Sequence, residues 1–558
     1  MTLCFKDLHH MGMQLHISYL RSFAPLSMGF TRLENIKANS KYECTPLLAT
    51  NLIPPNKLRV KILKKPVERG HLRWTKRGQY FVAPPTYSRI DVGKVDVELS
   101  AQSVPTSFSA RWRDIQGANN WEGLLDPIDQ DLRDELIRYG EFAQICYDAF
   151  DSDKNSIYCG SCKYNKRKVL EKAGLRNAAD YEVTKYLYST SDLHLPHFFQ
   201  RSQVPQERPW SRDSNWMGFV AVSKSASEIQ RLGRRDIVVA WRGTLTIPEW
   251  ISNLEDWLCP SSFCPRSQAG QAIGDVKVER GFRSIYTSKK ESSRYNRESA
   301  QEQLLPEIRR LLKKYQGQEL SITITGHSLG GALALLSAYD IAESEINKRI
   351  IISLQPSQQR CDSTNRSIDT SLMRYPNGFG TDASESVPIT VFTFAGPRVG
   401  NDAFRDRCEK LGIKTLRVVN EKDVVPKVPG VVLNEHMHVL RSWIDKLPWT
   451  YSHVGLELAL STQDSSCLQW SFLDVAGHHN LEAYLHLLDA YRSTQERFSG
   501  NHRDLALVNK FSELLKPKYC IPPYWWQEQN KGLQKNAQGR WVQREREKEH
   551  IPSEYSDL

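Results

Sequence analysis

The stretch that most limits how this 558-residue chain can fold is residues 320–345. The segment LSITIT (320–325) is short, apolar and β-branched, as a buried strand is. A helical pattern, GGALALLSAYDIAESE, occupies 330–345. Between them stands Gly326-His327-Ser328-Leu329-Gly330, a G-x-S-x-G sequence. A strand that enters a helix through so short a link must turn sharply. The turn raises Ser328 above the sheet edge and leaves room only for small neighbours, here Gly326 and Gly330. The start of the helix brings unpaired amides and the positive end of the helix dipole to that serine. Ser328 is therefore the candidate nucleophile, and the amide of Leu329 the first candidate oxyanion donor.

Other segments repeat the alternation. MGFVAVS (217–223), DIVVAWR (236–242), ITVFTFA (389–395) and IKTLRVV (413–419) read as strands. Residues 129–150 and 300–314 read as helices; in the first, Leu132, Leu136, Ile137, Tyr139, Phe142, Ala143 and Tyr147 recur at helical spacing. Strands alternating with helices predict an α/β fold with a mostly parallel central sheet flanked by helices. The ordered domain is expected to begin near Arg111-Trp112 and to run through 111–530. Residues 353–387 are polar and rich in Ser, Thr, Asp and Gly where a short connection suffices, so they are expected to form a mobile surface insertion. The tail, 531–558, is charged but balanced and has a partly helical pattern.

The charge is uneven. The chain carries 75 Lys+Arg against 64 Asp+Glu, a net +11. Residues 1–100 hold 16 basic and 7 acidic residues, so nearly all the excess is N-terminal and the body is close to neutral. That excludes a nucleic-acid reader, for which a basic face on the folded body is needed. Residues 1–50 lack a signal-peptide apolar block and fit an organelle transit peptide, with Asp7, Glu34 and Glu43 as atypical acids. Residues 51–110 read as a basic linker or arm able to meet an anionic lipid surface. No run of about 18 apolar residues occurs, so no membrane-spanning helix is predicted. The 11 cysteines include one C-x-x-C, Cys159 and Cys162, without a second pair at zinc-site spacing. Neither a metal nor a cofactor is expected.

A serine needs a histidine to take its proton and a carboxylate to orient the ring. In a fold with this elbow the chain order is serine, acid, histidine. Asp423 follows the strand at 413–419 and is the favoured acid; Glu421 and Asp402 compete. The downstream histidines are His436, His438, His453, His478, His479 and His486. His478 and His479 precede a helix starting near Leu481, His486 lies inside it, and His453 remains a rival on spacing. A second oxyanion donor is expected from the loop after an earlier strand, and Thr244 in Trp241-Arg242-Gly243-Thr244 is placed for it. The next residues put Leu245, Ile247, Trp250, Ile251, Leu254, Trp257 and Leu258 on one helical face, as a lid opening onto lipid requires.

These motifs together resemble the class 3 lipase family of α/β-hydrolases: WRGT before an amphipathic lid, GHSLGGALA, FAGPRVGN, and N-x-x-D-x-V-P. WRDIQGANNWEGLLDP, ELIRYGEFAQICYDAF and YCGSC narrow the resemblance to the plant class I phospholipase A1 group, chloroplast-targeted gamma type, over roughly 110–530. The resemblance implies an acyl hydrolase acting on the sn-1 ester of phosphatidylcholine, with galactolipids and triacylglycerol as further substrates, met at a membrane or lipid-droplet surface. It implies plastid import, to the stroma or the periphery of plastid membranes or plastoglobules. Carried over residue by residue, it makes Ser328 the nucleophile, Asp423 the acid, Thr244 and Leu329 the oxyanion donors, and His479, which opens H-x-L-E-x-Y-L-H, the base. An acyltransferase built on the same acyl-enzyme and a non-catalytic lipase-like scaffold are the alternative expectations.

Overall fold

Seven strands make one sheet in the order β1-β2-β3-β6-β7-β8-β9. They are β1 (Tyr181–Ser189), β2 (Asn215–Ser223), β3 (Arg235–Trp241), β6 (Leu320–His327), β7 (Ile389–Phe394), β8 (Lys414–Asn420) and β9 (Leu456–Leu460). A small ribbon pairs β4 (Leu258–Pro260) with β5 (Lys277–Glu279). From β3 to β9 the strands of the main sheet are parallel; β1 and β2 add an antiparallel edge. The computed structural model describes residues 107–191, 203, 214–244, 258–260, 276–348, 386–429, 450–469, 474–494, 503–526, 533–543 and 545–552. These all belong to one compact unit, Glu98–Leu558.

Both faces of the sheet are covered, and the pleat decides which residue goes to which face. Val238 and Ala240 join Phe392, Phe394, Leu416 and Val418 in one buried cluster. It packs on α2 (Gln130–Asp148) and on α6 (Leu481–Ala490). The alternate residues Ile237, Val239 and Trp241 join Ile322, Ile324, Ile389 and Val391 in a second cluster. That one includes α3 (Ala300–Lys314) and α4 (Leu329–Glu343). Two further helices matter below: α1 (Phe108–Ile115), which adds Ile115 to the first cluster, and α5 (Asp402–Lys410), which adds Phe404 and Cys408 to the second. The helix starts are set by local chemistry. Asp129 caps α2 through the amides of Asp131 and Leu132, and Ser299 and Glu302 form a reciprocal capping box on α3.

Several expected boundaries move. The ordered body starts earlier than Arg111, because Phe108 already opens α1, so the last residues of the expected 51–110 arm are helical. The last residues of the expected 353–387 insertion belong to the fold: Ser386 bridges Lys348, and Val387 is buried and hydrogen-bonded to Asn347. Leu258, expected on the lid helix, begins β4. The tail, where the pattern suggested helix, pairs Leu533–Lys535 with Trp541–Gln543. Asn536 and Gly539 explain this: Gly539 takes φ +74° and donates to the Asn536 carbonyl, a turn a helix cannot accommodate. Beyond it, Arg546 is buried against Asp151, Ser161 and Cys162. The expected leader (1–50), most of the arm and insertion, and the lid residues Ile247, Trp250, Ile251, Leu254 and Trp257 lie outside the described residues. Among the described residues no helix is long and apolar enough to cross a membrane.

Candidate active site

Ser328 stands between β6 and α4 with φ 60° and ψ −129°. Such a conformation costs a non-glycine residue on the order of 1–3 kcal/mol and persists only where the surroundings enforce it. Here they do. A Cβ on Gly326 would lie 2.2 Å from the Gly330 carbonyl oxygen, and one on Gly330 would lie 2.4 Å from that of Trp241. The elbow is thus wedged between its own helix and the end of β3, and both expected glycines are required by contact. The Ser328 amide donates to the Phe394 carbonyl of β7 at 2.9 Å, which ties the elbow to its other neighbour.

Asp423 lies three residues past β8, and His479 just before α6. Their side chains meet: His479 Nδ1 is 2.6 Å from Asp423 Oδ2, and both are buried. A carboxylate only accepts, so Nδ1 holds the proton and, in the neutral ring, Nε2 carries the free lone pair. Asp423 is held by two more donors. Tyr484 OH reaches Oδ2 at 2.7 Å, and the Val425 amide reaches Oδ1 at 2.9 Å. Tyr484 accepts from the Asn420 amide at 2.9 Å, and the Asn420 side chain donates to the His478 carbonyl at 2.8 Å. Asn420 therefore links the end of β8 to the residue beside His479.

The competitors are placed elsewhere. Glu421 is exposed. Asp402 is on α5 and pairs with Arg405 at 2.6 Å. His453 Nε2 faces the Pro426 carbonyl, and His478 Nδ1 faces the Thr462 hydroxyl. His486 meets Ser465, and burial, helped by the nearby Arg503 charge, pushes its pKa down to about 4. His436 and His438 lie outside the described residues. Cys159 and Cys162 are buried; burial and the neighbouring Asp151 and Asp153 push the Cys159 thiol up to about 12, where it is inert.

Thr244 follows β3 and is buried, while Leu329 opens α4, where the leading amides have no partner within the helix. Arg242 is 1% exposed and has its guanidinium 3.9 Å from the centre of the Phe150 ring. Its Nη1 donates to the Gly243 carbonyl at 2.8 Å. That carbonyl and the Thr244 amide share one planar peptide and point in opposite directions. Gripping the carbonyl thus sets where the Thr244 N–H points. Ser328 Oγ, His479 Nε2 and Thr244 Oγ1 are all buried and make no hydrogen bond among the described residues.

Tyr147, His327, Tyr484, Asn420 and Gly243 take part in this arrangement although the sequence did not single them out for it. Tyr484 had a signal, as the tyrosine of H-x-L-E-x-Y-L-H. Tyr147 had only its place on the apolar face of a helix.

A strained serine at a strand–helix elbow and a buried His–Asp pair, carried on a mostly parallel sheet, are features of the α/β-hydrolase class. The sequence profile of "Lipase (class 3)" matches residues 238–361 and 372–433. Phospholipase A1-Igamma2, chloroplastic, of Arabidopsis thaliana is 47% identical over 459 residues, covering 80% of this chain and 79% of that protein. Galactolipase DONGLE, chloroplastic, from the same plant is 39% identical, covering 75% of this chain and 78% of its own. Phospholipase A1-II 6 of Oryza sativa subsp. japonica is 37% identical and is matched over its whole length, across 82% of this chain. The chain belongs to the class 3 lipase family, alongside the plant phospholipases A1.

Proposed function

We propose that this lipase cleaves the sn-1 acyl ester of glycerolipids with Ser328 as nucleophile, His479 as general base and Asp423 as its orienting acid. The observation that carries the reading is the buried His479–Asp423 contact at 2.6 Å beside a serine in an enforced, strained conformation. His479 Nε2 takes the Ser328 proton as Oγ attacks the ester carbonyl. Asp423 stabilises the imidazolium that forms. The amides of Thr244 and Leu329 receive the oxyanion. His479 then returns the proton to the departing lysolipid alcohol, leaving an acyl-enzyme. Water, deprotonated by the same nitrogen, releases the fatty acid.

The relatives named as phospholipase A1 and as galactolipase favour phosphatidylcholine and galactosyl diacylglycerols as substrates, met at a plastid membrane or lipid-droplet surface. The chloroplastic names of the relatives and the basic N-terminal hundred residues support plastid import, with 1–50 as the leader and 51–106 as an arm toward anionic lipid. The residues around 247–257 are proposed as the lid.

Ser328→Ala tests the reading. On emulsified phosphatidylcholine, galactosyl diacylglycerols and triacylglycerol it is expected to lose activity by at least about 1,000-fold while folding normally. Hydrolysis at the wild-type rate by this variant would rule out Ser328 as nucleophile. Release of the sn-2 acyl group from position-labelled lipid would overturn the regiochemistry alone.

A further inference from the structure

His327, the residue before the nucleophile, is buried and makes two hydrogen bonds. Its Nε2 lies 2.9 Å from the backbone carbonyl of His479, and its Nδ1 lies 2.8 Å from the hydroxyl of Tyr147. A carbonyl only accepts, so Nε2 must hold the proton. Burial, together with the nearby His479 ring, pushes the pKa of His327 far down, so the ring is neutral and Nδ1 is an acceptor. Tyr147 therefore donates to Nδ1. Its oxygen in turn accepts from the Gly243 amide at 3.0 Å. Every proton in the chain is assigned: Gly243 N–H to Tyr147, Tyr147 O–H to His327, His327 N–H to the His479 carbonyl.

The ends of this chain are not arbitrary. Gly243 precedes Thr244, and its carbonyl is already held by Arg242. His327 precedes Ser328, and the last acceptor belongs to His479 itself. The fit is close: a Cβ on Gly243 would lie 2.3 Å from the Tyr147 oxygen and 2.9 Å from Ser328 Cβ. Tyr147 comes from α2, which supplies no part of the triad, so its hydroxyl joins a separate element to Gly243 and His327 directly, and through His327 to His479.

We propose that Tyr147 and His327 are positioning residues that act as one brace, holding the oxyanion loop at Gly243-Thr244 in register with Ser328 and with the backbone of His479. The proposal rests on the triad reading above. The hydrogen bonds of the brace go to backbone groups and to each other, not to the reacting atoms. Its effect is on alignment, which transition-state stabilisation needs and ground-state binding does not.

The test uses the full chain and a soluble monomeric ester such as p-nitrophenyl butyrate. Tyr147→Phe removes one oxygen and keeps the ring. It is expected to lower kcat on the order of 10- to 100-fold with KM within about two-fold, and to slow inactivation by an alkyl phosphonate in proportion. His327→Gln, which keeps a nitrogen donor for the His479 carbonyl, is expected to retain more kcat than His327→Phe. The double variant Tyr147→Phe/His327→Phe is expected to be no slower than His327→Phe alone, because the two act as a unit. Wild-type kcat in a folded Tyr147→Phe, or multiplicative losses in the double variant, would overturn the brace. If Ser328→Ala is inactive in the same assay, that result leaves the triad standing; if Ser328→Ala is active, the triad reading itself has failed.

Discussion

The two ends of the parallel strands are both buried, both polar and differently finished. At the N-terminal end, Asp236 opens the β3 core with no exposed surface. One oxygen accepts from Ser321 and Thr323 at 2.9 Å each, and the other from Tyr139 at 2.8 Å. Arg234 and Arg138 surround it, and Arg234 also bonds Ser321 and Tyr139. At the C-terminal end, Asp423 is equally well held at the back, but Ser328 Oγ, His479 Nε2 and Thr244 Oγ1 at the front make no hydrogen bond among the described residues. The same sheet and the same helix, α2, serve both ends; Tyr139 and Tyr147 are about 12 Å apart along it. Saturation marks a network that holds the fold. At the C-terminal end the hydrogen bonds converge on the acid behind His479, as orienting a base requires.

The largest effect expected from this contrast is on chemistry without stability. Asp423→Asn keeps the shape of the pair but favours the wrong tautomer of His479. It is expected to lower kcat by about 10⁴-fold, read from steady-state hydrolysis of a soluble ester, with a small change in melting temperature. The converse is expected at the other end. Asp236→Ala strands Arg234 and Arg138 in the interior and is expected to cost about 3–5 kcal/mol in urea unfolding, while kcat per folded molecule stays near wild type. A pH series sharpens this. Burial alone raises the Asp236 pKa, but Arg234 and Arg138, with the Tyr139 and Ser321 hydroxyls, outweigh it and hold the carboxyl below its usual range. The folded state thus binds that proton more weakly than the unfolded chain. The stabilisation is present at neutral pH and is lost as pH falls through the folded value. Asp236→Ala should remove that part of the acid sensitivity. Equal loss of kcat in the Asp236 and Asp423 variants would erase the distinction between the two ends. The smallest effect is expected at Tyr484→Phe, where Asp423 keeps two of three donors: on the order of ten-fold in kcat, measured on the same ester.

How much of this the sequence carries depends on whether local pattern or distant contact decides. The elbow was legible because strand, glycines and helix are adjacent in the chain. The place of Asp423 was legible because it follows a strand. β1 was not, because YEVTKYLYS pairs with β2 through register shifts at Val183/Lys185 and Leu187/Tyr188, which break its period of two. β9 was not, because LELAL is short and made of good helix formers, with Leu456 exposed at the sheet edge. The histidine stayed open among several until the resemblance favoured His479, since what separates it from His478 and His453 is a contact with Asp423, 56 residues away. The Tyr147–His327–His479 line has no sequence signature at all: its partners are 180 and 152 residues apart.

Active-site labelling tests most directly whether Ser328 is the nucleophile. The purified full chain is treated with a fluorophosphonate ester and its peptides are mapped by mass spectrometry. One adduct is expected, on Ser328, forming at least about 100-fold more slowly in His479→Ala. An adduct on another residue, or labelling of Ser328 at an unchanged rate without His479, would contradict that assignment.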